Sequence, residues 1–283
     1  MINSTSDGAP HVLVVGIDGV RYDSLRQAHT PAIDRLAETG VLLPVRVHEK
    51  NVTISGPVWA TVATGVYMDQ HAVEDNEGQP LGTAGFEDFT ALLRAQHPEL
   101  QTMIAATWLP LVERGGCGPL FSSGGWAPPV DPEDEDSAES WIVADDDAAA
   151  YAVSRLAVDD LAVSFVYFGE CDVQAHRFGV GLGYTGCIER CDTRLGLLLD
   201  AIDRRPQRAE EEWTIIVVTD HGHLDEGGHG GDTDEERTAW MVTSGAGVPE
   251  GIKSLDHADI AVQVLTTFGV DHSALAGVPF GQR

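Results

Sequence analysis

Six side chains able to ligate a divalent cation lie at or just past apolar runs: Asp18, Asp172, His176, Asp220, His221 and His229. Three carboxylates and three imidazoles form a hard-to-borderline donor set that suits a pair of divalent ions, zinc first and manganese as the alternative. Asp172 and His176 are four residues apart, so one helical turn could present both to a single ion. Asp220 and His221 are adjacent, and His229 follows among glycines in VVTDHGHLDEGGHGG. Ser55 stands in a Ser-Gly-Pro turn before a helical run. A hydroxyl in such company is a nucleophile that a cation could activate. Each residue also has a plainer reading. Ser55 could be a helix N-cap, Asn76 an ordinary turn residue, and Tyr167 a core aromatic on a strand. His223 reads either as a residue that orients a ligand or as part of an exposed loop.

Such groups need rigid elements behind them. HVLVVGI reads as a strand ending at Asp18. TPAIDRLAET reads as a helix with Thr30 as N-cap, Pro31 at its first position and Gly40 closing it. VLLPVRV is the next expected strand, and Val58 to Thr64 is helical in character. Further helices are expected near 86–96, 145–156, 185–202 and 258–268, and strands near 102–106, 162–168, 213–219 and 238–243. This alternation predicts an α/β fold, a mostly parallel central sheet with helices on both faces. Ligands bind off the carboxyl ends of strands in such sheets, where Asp18, Asp172 and Asp220 fall. Residues 1–283 read as one catalytic domain. The acidic, Pro-bearing stretch Asp131 to Asp147 reads as a surface insertion or lid near 115–145.

The balance of 45 Asp+Glu against 17 Lys+Arg gives a net charge of -28. That argues against sequence-independent binding to nucleic acid or to an anionic membrane. Lys50 and Lys253 are the only lysines, so phosphate recognition must rest on metals, Arg or backbone amides. No run approaches the roughly 18 apolar residues of a membrane span. MINSTSDGAP lacks a basic region followed by an apolar core. Cys117, Cys171, Cys187 and Cys191 are too sparse for a disulfide framework and are expected to be buried free thiols. These features point to a cytoplasmic protein. They say nothing of its oligomeric state.

VVGIDGVRYD, TISGPVWATVATG, HAVEDNEG, YFGECDVQAHRFG and VVTDHGHLDEGGHGG together resemble the alkaline phosphatase superfamily, and specifically its nucleotide pyrophosphatase/phosphodiesterase branch. The Asp-His-Gly at Asp220–Gly222 and the Asp-x-x-x-His at Asp172–His176 are the most specific parts. The family pattern places the nucleophile nine residues before the Thr of a Thr-Gly pair, and Thr64-Gly65 leads back to Ser55. An oxygen-binding Asn is expected 21 residues after the nucleophile, at Asn76.

The resemblance implies an alkaline-phosphatase-like three-layer sandwich. It assigns Asp172, His176 and His229 to one zinc, and Asp18, Asp220, His221 and the Ser55 oxygen to the other, with the ions ~4 Å apart. Asn76 and the Gly56 N–H would hold non-bridging oxygens, and Ser55 would carry a phosphoseryl intermediate. The implied activity is phosphodiesterase or nucleotide pyrophosphatase, on a small phosphorylated substrate such as a nucleotide. A phosphomonoesterase acting on a small phosphorylated metabolite or nucleotide is the alternative, and a non-catalytic protein that kept its ligands is the other class. Departures from the pattern carry information too. Ser55 stands for the usual Thr, and Gly56 stands where an aromatic often walls a nucleobase slot. Tyr167, five residues before Asp172, matches the other wall. Trp59 occupies the position where sulfatase relatives need Arg, which argues against sulfatase activity. The chain shows no clear Lys-x-Arg element of the kind that some monoesterases use, which favours diesters or pyrophosphates.

Overall fold

The computed structural model describes residues 8–81, 84–129 and 137–282. In chain order the elements are β1 (Ala9–Ile17), α1 (Tyr22–Leu25), α2 (Pro31–Thr39), β2 (Gly40–Arg46), α3 (Ser55–Thr64), α4 (Met68–His71), α5 (Phe89–Gln96) and β3 (Gln101–Ala106). They continue as α6 (Ala138–Leu156), β4 (Leu161–Phe168), α7 (Glu170–Phe178), α8 (Leu182–Asp203), β5 (Glu211–Val218), α9 (Asp234–Arg237), β6 (Thr238–Gly245) and α10 (Ala258–Thr267). The sheet order is β2-β6-β5-β1-β4-β3. β1 runs parallel to β4 and β5, and β3 runs parallel to β4. β6 alone is reversed, pairing antiparallel with β5 and β2. The carboxyl ends of β1, β3, β4 and β5 therefore share one edge of the sheet.

Successive side chains of a strand face opposite sides, and β1 shows the consequence. Val12 and Val14 pack with α3, α5 and α10, whereas Leu13, Val15 and Ile17 pack with α2, α6 and α8. A strand covered on both faces reads as a continuous apolar run, which is why HVLVVGI was legible. Among the described residues, no helix is long and apolar enough to cross a membrane.

Two local expectations need correction. Thr30 holds the N-cap position of α2 as expected, with Pro31 next, but its side chain makes no cap bond; the Asp192 carboxylate of α8 takes the Ala32 and Ile33 N–H groups instead, at 3.0 and 2.8 Å. A tertiary carboxylate thus satisfies the orphan donors of α2. The acidic stretch is also not a surface insertion throughout. Residues 130–136 lie outside the described residues, but α6 begins at Ala138, with the Ser137 hydroxyl accepting from the Glu139 N–H. Asp145 is fully buried. Its carboxylate takes the Thr107 hydroxyl at 2.8 Å and the Gly169 and Glu170 N–H groups at 3.1 and 3.0 Å. Acidic residues are seldom buried; this one is, because it pins the start of α7.

His71 makes one property of the fold pH-dependent. It is wholly buried; its Nδ1 accepts the Val73 N–H at 3.1 Å and its Nε2 meets Thr61 Oγ1 at 3.1 Å. Burial pushes the imidazole down to about 4. A depressed histidine contributes stability that is present above its unfolded pKa near 6.5 and is lost as pH falls through the folded value. The expected loss between pH 7 and 4 is roughly 3 kcal/mol. Urea denaturation at pH 7, 5.5 and 4 should show a shallower loss in His71→Asn than in the parent chain. Identical slopes would assign the acid sensitivity to other groups.

Candidate active site

Asp18 closes β1, with its N–H still bonded to the Phe168 carbonyl at 3.0 Å. Its Oδ2 accepts the Trp59 Nε1–H at 2.8 Å and the Tyr167 hydroxyl. Its Oδ1 is buried without a hydrogen-bond partner. The chain then turns at Gly19, whose φ of 63° lies in the left-handed region, and the Gly19 N–H donates to Asp220 Oδ1 at 2.9 Å. Asp220, just past β5, likewise leaves its Oδ2 buried and unpartnered.

The imidazoles are oriented to match. His221 Nδ1 lies 3.1 Å from the Gly222 carbonyl. A carbonyl only accepts, so Nδ1 carries the proton and Nε2 keeps a lone pair. That lone pair lies 3.1 Å from Asp220 Oδ2, 3.8 Å from Asp18 Oδ1 and 3.4 Å from Ser55 Oγ. His229 repeats the arrangement, with Nδ1 at 2.7 Å from the Thr53 carbonyl. Its Nε2 sits 3.5 Å from Asp172 Oδ1 and 2.9 Å from His176 Nε2. His176 Nε2 is also 3.5 Å from Asp172 Oδ1. Two knots result, Asp18–Asp220–His221 beside Ser55 and Asp172–His176–His229. The donor atoms of Asp18, Asp172 and His221 lie within 4.8 Å of one another, as do those of Asp172, His176, His223 and His229.

Electron-rich atoms converging in a buried pocket repel unless a positive charge sits between them. Burial pushes the Asp18 carboxyl well above the usual range, and the charges of Asp220 and Asp172 push it further. Burial raises Asp220 to about 8. Burial drives His221 and His229 down. Asp172 departs from this pattern: burial raises it, but the His223 hydrogen bond and the nearby imidazoles outweigh burial and hold it below the usual range. The donor set, the orphaned carboxylate oxygens and the fixed tautomers all fit divalent cations.

Ser55 is the first residue of α3, and the cap position belongs to Ile54. The hydroxyl therefore does not cap the helix. The Gly56 N–H, expected to face a substrate oxygen, instead donates to Asn76 Oδ1 at 2.8 Å. The bond identifies which end of the Asn76 amide is oxygen and leaves the NH2 end available. Ser55, Asn76, Asp172, His176 and His229 all line one open cavity of about 290 Å³.

Other walls were not foreseen. Trp108, just past β3, and Trp141 of α6 both line the cavity. Trp108 follows a strand end and was discoverable on that ground; Trp141 was hidden in the stretch read as a lid. Tyr167 lines the cavity as well, with its hydroxyl bonded to Asp18. Arg177 is exposed at the lining, whereas Arg21 is held by Asp23 and Asp225 at 2.6 and 2.5 Å. A separate buried group, Asp145, Glu170 and Cys191, surrounds the Arg194 guanidinium, which lies 2.7 Å from Glu170 and 3.6 Å from Asp145. Two guanidiniums, of Arg194 and Arg190, already serve that cluster.

Residues 12–84 and 87–240 match the family described as Type I phosphodiesterase / nucleotide pyrophosphatase. A stretch of 76 residues is 34% identical to the bis(5'-adenosyl)-triphosphatase enpp4 of Mus musculus, covering 26% of this chain and 16% of that protein. The chain thus spans about a sixth of the curated relative's length. Among solved structures, an inactive murine ectonucleotide pyrophosphatase/phosphodiesterase 5 in complex with AMP is 14% identical, with a TM-score of 0.67 over 95% of this chain and 97% of that one. A 2-O GAG sulfatase is also 14% identical, with a TM-score of 0.71 over 95% of this chain and 73% of its own. At such identities the two solved structures speak to fold alone.

Proposed function

This chain belongs to the type I phosphodiesterase / nucleotide pyrophosphatase family, a premise that makes it a hydrolase of phosphate esters, and we propose that Ser55 is its nucleophile. The reading rests on one observation: the Ser55 hydroxyl lies 3.4 Å from His221 Nε2, beside two carboxylates with orphaned oxygens. Asp18, Asp220, His221 and Ser55 would hold one divalent cation, and Asp172, His176 and His229 the other, zinc by preference and manganese as the alternative. When bound, such ions supply Lewis acidity, lowering the pKa of a hydroxyl and neutralising charge on attacking and leaving oxygens.

The chain's own groups do the rest. Ser55, its hydroxyl proton released to solvent, attacks phosphorus; the bond to the leaving oxygen breaks, that oxygen takes up a proton from solvent, and a phosphoseryl ester forms that water later hydrolyses. Asn76, its oxygen held by the Gly56 N–H, offers its amide NH2 to a non-bridging oxygen. Trp59 and Tyr167 hold Asp18 on the side away from its free oxygen. Trp108 and Trp141 give the cavity apolar walls suited to a nucleoside, in keeping with the AMP bound to a structural relative. The sulfatase reading gains nothing, because Trp59 is buried and bonded to Asp18 where sulfatase relatives carry Arg.

Diester substrates are favoured over monoesters. The lining carries Arg177 and no Lys, so the extra negative charge of a monoester finds little beyond the cations. Metal analysis alongside bis(p-nitrophenyl) phosphate, p-nitrophenyl phosphate and a dinucleoside polyphosphate tests this. The expected result is two bound ions and a kcat/KM for the diester at least about tenfold above the monoester, a difference of ~1.4 kcal/mol. Monoester preference would reverse the ranking. A metal-loaded chain inert to all three would be a binding protein.

A further inference from the structure

His223 has no part in the reaction just described, yet it is wholly buried in the middle of the histidine cluster. Its ring meets His176, His229 and His221 edge-on, at centroid distances of 5.1, 5.0 and 5.6 Å. Its Nε2 lies 2.9 Å from Asp172 Oδ1. A carboxylate only accepts, so Nε2 bears the proton in that bond. Asp172, His176 and His229 line the cavity, whereas His223 does not. Its bond is to Oδ1, the same Asp172 oxygen that lies 3.5 Å from His176 Nε2 and from His229 Nε2.

The backbone is shaped around this pair. A Cβ at Gly19 would lie 2.6 Å from His223 Nε2 and 2.9 Å from Asp172 Oδ1. Gly19 therefore does two jobs: it adopts a positive φ, and it leaves room for His223 to reach Asp172. The Gly19 N–H meanwhile holds Asp220, and its carbonyl accepts the Tyr184 hydroxyl at 2.5 Å. The turn after β1, the loop after β5 and helix α7 are thereby locked at one point between the two ligand knots.

We propose that His223 is a positioning residue that holds the Asp172 carboxylate in the orientation needed to bind a divalent cation with His176 and His229. The proposal rests on the reading of Asp172 as a ligand. A carboxylate with one oxygen tethered cannot swing away when the site is empty, so less ordering remains to be done on binding. The same role is open to any side chain that puts an N–H donor where Nε2 now lies.

Zinc titration of the full chain against a chelating dye is the test, with His223→Ala, His223→Gln and Gly19→Ala beside the parent. His223→Ala should weaken one of two zinc equivalents by about 10–100-fold while saturating zinc still gives two. His223→Gln, which can restore a donor near the Nε2 position, should recover most of that loss. Gly19→Ala, which forces the pair apart from the other side, should reproduce it, so the proposal remains testable even if the alanine variant at 223 folds poorly. Parent-like zinc affinity in His223→Ala overturns the proposal. A drop to one equivalent at saturating zinc, unrescued by Gln, also overturns it, by making His223 a ligand. A parent chain that binds zinc but cleaves no ester defeats the hydrolase reading while leaving this result standing. A parent chain that takes up no divalent cation overturns both.

Discussion

Ser55→Ala should lose at least about 1,000-fold in kcat on a phosphate diester and melt within about 2 °C of the parent chain. The two halves of that expectation come from different facts. Ser55 is 6% exposed, and the polar contact of its hydroxyl is His221 at 3.4 Å. It caps nothing, because Ile54 holds the cap position of α3. The helix is fixed by Val58, Trp59, Val62 and Ala63, each 1% exposed or less, and none of them depends on an oxygen at position 55. Removing the oxygen therefore subtracts chemistry and almost no packing. Zinc content should stay close to that of the parent, since Asp18, Asp220 and His221 remain. Acid-quenched parent enzyme should carry phosphate on the peptide that contains Ser55, and the variant should not. Substantial turnover by the variant would mean that the displacement is direct, with no covalent ester.

The side chains proposed to bind metal were readable in the sequence because each lies in a short segment whose residue types are unusual together. Asp220-His221 and Asp172 with His176 sit where apolar, β-branched runs stop, and parallel strands place such stops on one edge. Period and length sufficed for β1, β4 and β5, which are buried on both faces. What escaped was tertiary. Nothing local to Thr30 reveals that Asp192, in α8, takes over its capping role. Asp145 looked solvated because acidic neighbours surround it; its burial depends on N–H groups of Gly169 and Glu170, which only the folded chain brings near. The bond of the Tyr167 hydroxyl to Asp18, 149 residues earlier, has the same origin. His223 was legible as a neighbour of ligands, but its hydrogen bond to Asp172 on α7 was not.

Asp220→Asn should show opposite signs of stability change with and without zinc. Asparagine preserves the shape, and its Oδ1 can still accept the Gly19 N–H that the carboxylate accepts at 2.9 Å. The charge is removed, and the unpartnered Oδ2, 3.1 Å from His221 Nε2, is replaced by an NH2 group. Burial has raised the Asp220 pKa to about 8, so ionising it within the metal-free fold is unfavourable. A carboxyl raised in the fold contributes stability that is present below its unfolded pKa near 4 and lost as pH rises through the folded value. At pH 8.5 without metal, the parent has lost that contribution, whereas the variant has nothing there to titrate. The metal-free variant should melt about 2 °C or more above the metal-free parent. Saturating zinc should invert the order. The parent gains from two ions, each worth about 2.7 kcal/mol at a hundredfold excess over its Kd, while the variant keeps the ion of Asp172, His176 and His229 and loses much of its hold on the other. Metal analysis should give one equivalent in place of two, and kcat/KM on the diester should fall by about 1,000-fold or more. Calorimetry with and without zinc reads both signs in one pair of proteins. A variant less stable than the parent in both conditions would make Asp220 a structural residue whose charge the fold needs, and the cation assignment at that strand end would fall.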